Sequence, residues 1–177
     1  VDDGSIDATY AIASALVPTL RHTLNRGMGA ALATGTTYAL KNGADIVVHF
    51  DADGQHRADE IERFVQLIET GAADIVIGSR YLQKNELPIT KQYFIHRPAL
   101  VFQNLTSGIR LTDVHNGFRA MNRRAASIIR IRQDRMAHAS EIIYEIRRHN
   151  LCYTEVPVTI AYQEYGQGIR DGIKIRS

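Results

Sequence analysis

Ile46-Val47-Val48-His49-Phe50-Asp51-Ala52-Asp53-Gly54-Gln55-His56 passes from a β-branched apolar run directly into an acidic loop containing glycine. A short apolar run bounded by turn residues is the pattern of a buried strand. Downstream, Ile61, Phe64, Val65 and Ile68 fall at i, i+3, i+4 and i+7, which predicts an amphipathic helix over Ala58 to Thr70 ended by Gly71. Ile75 to Ile77 is a second buried strand. Strand, loop, helix, strand is the repeating unit of an α/β chain with a mostly parallel sheet flanked by helices.

Working outward, Asp7 to Leu16 reads as a helix capped near Ser5 or Asp7, Pro18 to Thr23 as a short strand, and Gly27 to Asn42 as a helix closed by Gly43. Val1 has the character of the last residue of a strand, because Asp2-Asp3-Gly4-Ser5 resembles a strand-end loop; a first strand is expected to be missing ahead of it. On that expectation, a chain extended by roughly one βα unit would bind its ligand more tightly. After Arg80 the alternation fades: Tyr81 to Thr90 is a polar loop and Lys91 to Thr106 a helix broken near Pro98. Ala137 to His149 is helical, Thr154 to Ala161 alternates as a strand, and the tail from Tyr162 is a loop.

The 177 residues form one expected domain, 1–177, large enough to bury a core without cross-links. Cys152 stands alone, which excludes an internal disulfide framework and a cysteine-based zinc site. No apolar stretch reaches the roughly 18 to 20 residues of a membrane span, and no basic-then-apolar leader opens the chain, so a soluble protein is expected. Charge is unevenly spread. Residues 1–74 hold 5 Lys/Arg against 11 Asp/Glu, whereas residues 75–177 hold 16 against 8, with seven arginines and two aspartates between Arg110 and Arg135. One end is therefore suited to a cation and the other to an anion. No helix-turn-helix, zinc-finger or RNA-recognition pattern accompanies the arginines, and nucleic acid is set aside as a partner.

In open α/β sheets ligands bind beyond the carboxyl ends of the strands. Asp51 and Asp53, at i and i+2 in an irregular loop, can offer oxygens to one hard divalent cation, with Gln55 adding an amide oxygen. Mg2+ or Mn2+ would keep its other positions for water and a diphosphate. The competing reading makes both aspartates turn and cap residues ahead of the next helix. Arg26-Gly27-Met28-Gly29 precedes a helix and can wrap a phosphate, but its spacing matches neither the dinucleotide nor the P-loop pattern.

Five segments occur in order: Val1-Asp2-Asp3-Gly4-Ser5 with Asp7 and Thr9; Asn25-Arg26-Gly27 with Gly29 and Ala31; Asp51-Ala52-Asp53-Gly54-Gln55-His56; Gly78-Ser79-Arg80-Tyr81; and Asn116-Gly117-Phe118-Arg119-Ala120. Together they resemble the inverting nucleotide-sugar glycosyltransferases of the dolichyl-phosphate mannose synthase type, over nearly the whole chain. The resemblance implies a GT-A fold, a nucleotide-diphosphate sugar donor, a divalent metal, and a polyprenyl-phosphate or glycan acceptor at the cytoplasmic membrane face. Membrane attachment would be peripheral or through a membrane-protein partner. Asp3 then matches the carboxylate that reads the nucleobase, with Asp2 beside it. The donor-binding set is Asp2, Asp3, Ser5, Arg26, Gly27, Asp51, Ala52 and Asp53, and the metal set Asp51, Asp53 and Gln55. Arg80 and Arg119 match arginines that meet phosphate groups, and a planar guanidinium can take two phosphate oxygens at once. For Arg119 the bland alternative is a surface ion pair with Asp113.

The sequence departs from the family in three places. No Pro-x-x-Asn-Glu loop precedes Val1, Arg26 and Met28 replace a Lys-Gly pairing, and Asp113-Val114-His115-Asn116 replaces Asp-Pro-Thr/Ser. The expected catalytic set is Asp53, Arg80, Arg119, Asp113 and Glu141. A phosphate acceptor is already an anion and needs no base, whereas a hydroxyl needs one, for which Asp113 and Glu141 are the candidates. Glu141 also suits a helix-capping role. Two rivals stand beside the transferase: a sugar-phosphate nucleotidyltransferase and a catalytically inactive sugar-nucleotide-binding domain.

Overall fold

The computed structural model describes residues 1–82, 109–135 and 137–160. The helices expected at 91–106, most of the loop at 81–90 and the tail from 162 lie outside them. Along the chain run α1 (Thr9–Leu16), α2 (Met28–Lys41), β1 (Ile46–His49), a 3-10 turn (Ala58–Glu60) leading into α3 (Ile61–Glu69), β2 (Ile75–Ser79), β3 (Arg119–Asn122), α4 (Arg123–Ile128), α5 (His138–Arg148) and β4 (Tyr153–Pro157).

The four strands form one sheet in the order β1-β3-β2-β4. The β2–β4 pair is parallel, and β3 runs antiparallel to both β1 and β2. Three strands therefore point one way, and the departure from an all-parallel sheet lies wholly in β3. That reversal matters for the site. Because β3 is inverted, its first residue, Arg119, sits at the edge where β1 and β2 end, opposite His49 and Ile77.

Each face of the sheet carries a core. On one, Val47, Ile75, Ile77 and Met121 pack with Ala125 and Ala126 of α4 and Ile142, Ile143 and Ile146 of α5. On the other, Val76, Phe118, Ala120 and Val158 receive Phe64 and Ile68, the predicted stripe of α3. Phe64 stacks flat on Phe118 with ring centroids 4.1 Å apart. The predicted stops of α2 and α3 are present, with Gly43 at φ +86° and Gly71 at φ +72°, left-handed values that glycine adopts without steric cost.

Three expectations need correction. Pro18 to Thr23 forms no strand among the described residues; it makes a parallel bridge, Asp2 to Arg21. β4 ends at Pro157 rather than Ala161, because its partner β2 ends at Ser79. β3 and α4 were not anticipated. Arg119-Ala120-Met121-Asn122 contains no β-branched residue, and α4 is announced only by Asn122, whose side chain accepts a hydrogen bond from the Ala125 N–H at 2.8 Å.

Candidate active site

At the end of β1 the chain enters the Asp51–His56 loop. The Asp51 carboxylate lies against Gly117 so closely that a Cβ there would collide with its oxygens. Glycine at 117 is thus what lets the loop before β3 reach Asp51. Asp53 is exposed and accepts the Gln55 N–H at 2.9 Å, the turn geometry weighed above. The His56 ring closes the loop, 5.4 Å from Phe118 and 5.9 Å from Phe50, with Nε2 3.9 Å from the Asp51 carboxylate. Burial holds the His56 imidazolium pKa below its usual value, against the pull of Asp51 and Asp53. Asp51 and Asp53 supply hard oxygens, the donor chemistry a magnesium or manganese ion takes. Among the described residues no group of three or more His, Cys, Asp or Glu side chains gathers for a metal. Asp51, Ala52 and Asp53 form one end of a cleft of about 570 Å³ between α2 and β1, whose wall includes Val1, Met28 and Leu32.

At the end of β2, Arg80 grips Asp113. Its Nε donates to Oδ2 at 2.6 Å, its Nη2 to Oδ1 at 2.8 Å and its backbone N–H to Oδ2 at 3.1 Å. Both oxygens of this buried carboxylate are engaged, which makes Asp113 an anchor for Arg80 and a poor base. Glu141 has a similar duty: one oxygen accepts the backbone N–H groups of Arg132 and Gln133 at 2.8 and 3.0 Å.

Arg119 is not the surface residue of the bland alternative. It is 2% exposed, its Nη1 is buried without a hydrogen-bond partner, and Asp113 belongs to Arg80. Burial lowers its pKa to about 10, opposed by Asp51 and Asp113, so it remains a cation at neutral pH. A buried charge with an unsatisfied donor is costly unless something meets it.

Cross-strand from Arg119 lies His49, which sequence reading left in the strand without a role. Its Nε2 is 2.9 Å from the Thr36 hydroxyl, and its Nδ1 is buried and unpartnered. Burial, then the charges of Arg119 and His138, depress its pKa from 6.5 to about 3. The unfolded chain therefore binds the extra proton between those values, and the stability contributed is complete above pH 6.5 and lost as pH falls toward 3. Between pH 6.5 and about 4.5 the expected loss is about 2–3 kcal/mol, with His56 adding in the same direction. His49→Gln should remove most of this slope in urea melts at the two pH values. Equal slopes for parent and variant would show that His49 is not held neutral.

The expected nucleotide end is organised by Asp3. Its Oδ1 accepts the Arg26 N–H at 3.0 Å and meets His22 Nδ1 at 2.6 Å, while Oδ2 accepts the Gly27 N–H at 2.6 Å. Burial pushes its pKa up, but the hydrogen bonds from Arg26, His22 and Gly27 outweigh that and hold it below the usual range. Asp2 is buried and ion-paired to Arg21 (Nε to Oδ2, 3.2 Å), and the Ser5 carbonyl accepts Arg21 Nη2 at 2.9 Å. Arg26 is exposed and loosely paired with Asp134 at 3.4 Å. Gly27 has φ +103°, and a Cβ at Gly29 would strike the Gln133 carbonyl, so both glycines serve the close approach of 133–134 to the start of α2.

The structure thus brings Asp51, Asp53, Arg80, Asp113 and Arg119 to one sheet edge and sets Asp2, Asp3, Ser5, Arg26 and Gly27 at the neighbouring turn. Residues 1–129 match the family model described as Glycosyl transferase family 2. The chain belongs to glycosyl transferase family 2. It is similar to the UDP-N-acetylglucosamine–dolichyl-phosphate N-acetylglucosaminyltransferase of Methanococcus voltae, 34% identical over 99% of this chain and 80% of that one. It is also similar to the polyprenol monophosphomannose synthase of Mycolicibacterium smegmatis, 30% identical over 99% and 71%. Among solved structures, glucosyl-3-phosphoglycerate synthase from Mycobacterium tuberculosis, in complex with Mn2+ and uridine-diphosphate-glucose, superposes with TM-score 0.63 at 21% identity. That match covers 96% of this chain and 60% of the solved one, so the chain spans about three-fifths of its neighbour's length. This glycosyltransferase family 2 chain is a hexosyltransferase of GT-A fold, which sets aside the nucleotidyltransferase alternative. No helix among the described residues is long and apolar enough to cross a membrane.

Proposed function

We propose that residues 1–177 act as one catalytic domain that transfers a hexose, with inversion, from a nucleotide-diphosphate sugar to a polyprenyl phosphate, at the membrane surface. The observation that carries this reading is Arg119: a fully buried cation with an unpartnered donor, at the same strand ends as the paired carboxylates Asp51 and Asp53. Carboxylates suit the donor's counter-ion, and a guanidinium suits a second, phosphate-bearing substrate. The names of the Methanococcus and Mycolicibacterium relatives point to the same acceptor class.

Asp51 and Asp53, with Gln55 beside them, would hold Mg2+ or Mn2+, which offsets the charge developing on the leaving diphosphate. The remaining work falls to the chain itself. Asp3 fixes the Arg26–Gly27 turn beside the donor, and Asp113 fixes Arg80. Arg119 and Arg80 orient the acceptor phosphate, whose oxygen is already anionic and attacks without a base. A sugar hydroxyl acceptor is disfavoured, because both oxygens of Asp113 are occupied by Arg80 and the Glu141 carboxylate is engaged by the Arg132 and Gln133 N–H groups.

The test is a panel of GDP-, UDP- and dTDP-hexoses with Mn2+ and a short-chain polyprenyl phosphate. The expected products are a nucleoside diphosphate and a lipid-soluble glycosyl phosphate of inverted anomeric configuration. Transfer only to a sugar hydroxyl, with no lipid-linked product from any donor, would overturn the acceptor reading.

A further inference from the structure

Glu155 lies in β4, beside Ile77 in the parallel register, outside every motif noted in the sequence. Its Oε1 accepts the Thr112 N–H at 2.9 Å, the Thr112 hydroxyl at 2.9 Å and the Asp113 N–H at 3.2 Å, and its Oε2 accepts the Thr112 N–H at 3.0 Å. Among the described residues no Lys or Arg is ion-paired with it. An ionised carboxylate only accepts, so it imposes a direction on the hydroxyls behind it. Thr112 must donate to Glu155. Ser79, 2.6 Å from the Thr112 oxygen, must then donate to Thr112, which leaves the Ser79 oxygen to accept the Tyr81 N–H at 3.2 Å.

The result is a one-way chain, Tyr81 to Ser79 to Thr112 to Glu155, with a branch from Asp113 to the same carboxylate. Both ends matter to Arg80. Its guanidinium is held in a fork by Asp113 and stands over the Tyr81 ring, 5.6 Å from the centroid. Each of these partners is therefore tied to Glu155, Asp113 through one hydrogen bond and Tyr81 through three. Chains of hydrogen bonds polarised in one direction reinforce one another, and a half-buried network of this kind favours one arrangement.

We infer that Glu155 is the positioning residue for Arg80, setting its orientation at the strand ends through Asp113 and Tyr81. The inference rests on the proposed role of Arg80 toward the acceptor phosphate only for its catalytic consequence. Gln in place of Glu155 keeps the shape but puts an NH2 donor among donors and lets the hydroxyl chain run either way.

The experiment measures hydrogen exchange of arginine Nε–H groups by NMR in Glu155→Gln. Arg57, whose Nε donates to Asp59 at 3.0 Å on the exposed 51–60 loop, serves as internal control. The expected result is at least about tenfold faster exchange at Arg80, an unchanged Arg57 signal, and a several-fold rise in KM for polyprenyl phosphate with donor KM unchanged. Asp113→Asn combined with Glu155→Gln should fall short of the sum of the two single effects, because the Asp113 branch is common to both. Should Glu155→Gln fail to fold, Thr112→Val removes the hydroxyl link while keeping the backbone donors, and it should show a smaller change of the same sign. Unchanged Arg80 exchange in a folded variant overturns the inference, whatever the kinetics. Faster exchange with unchanged kinetics upholds the positioning and counts instead against Arg80 as a phosphate ligand.

Discussion

Asp53→Asn is expected to abolish manganese-dependent binding of the nucleotide diphosphate while leaving the melting curve in place. The fold should not notice the change. Asp53 is exposed, and the hydrogen bond it accepts from the Gln55 N–H at 2.9 Å is equally open to an asparagine amide oxygen. Substitutions at such positions shift stability by roughly 0.5 kcal/mol or less. Metal affinity is different, because what the variant loses is the charge. With Asp51 as the remaining carboxylate, the ion would be held mainly by the diphosphate it is meant to neutralise. Outer-shell changes around metals already cost roughly 10–100-fold in affinity, and removal of a direct ligand should exceed that. Calorimetry of donor binding with and without Mn2+ on folded variant protein checks it. Unchanged metal-dependent affinity would remove Asp53 from the site and leave it a turn residue.

Most of the fold was legible where local pattern and tertiary burial agree. The Ile61–Ile68 stripe became the buried face of α3, Gly43 and Gly71 stop their helices, and the apolar runs at 46 and 75 are strands. The failures lie in strand pairing. β3 is a strand by virtue of its two neighbours, not of its own residues, and Pro18–Thr23 is bridged among the described residues at Arg21, to Asp2. The candidate site was readable residue by residue and unreadable as an arrangement. Sequence order could not show that β3 is inverted, nor, therefore, that Arg119 is buried against His49. It could not show that Asp113 is committed to Arg80, because that pair spans a long separation in the chain. Glu155 carried a faint signal, a lone carboxylate in a run otherwise made of Val156, Pro157 and Val158. A charge on a strand usually faces solvent, and only the 112–113 backbone explains this one.

Arg119→Ala should raise the KM for a polyprenyl phosphate by roughly 10- to 150-fold, the loss of about 1.5–3 kcal/mol expected for a charged hydrogen bond, with donor affinity little changed. The asymmetry follows from position. On the proposed reading the donor's charge has its own counter-ion at Asp51 and Asp53, whereas the buried Nη1 of Arg119 has no hydrogen-bond partner among the described residues and is open to a second anion. Removing a fully buried side chain also leaves a void, so Arg119→Lys is the necessary companion. It keeps the cation and most of the volume but loses the planar fork, and it should recover part of the acceptor affinity. Glu141→Gln should be nearly silent, since an amide oxygen can still accept from Arg132 and Gln133 and a phosphate acceptor calls for no base. The opposite pattern would be equally informative. A silent Arg119→Ala beside a Glu141→Gln that folds but has lost activity would mean that a proton must be removed from the acceptor. The acceptor would then be a hydroxyl, and the buried cation would have no part in the transfer.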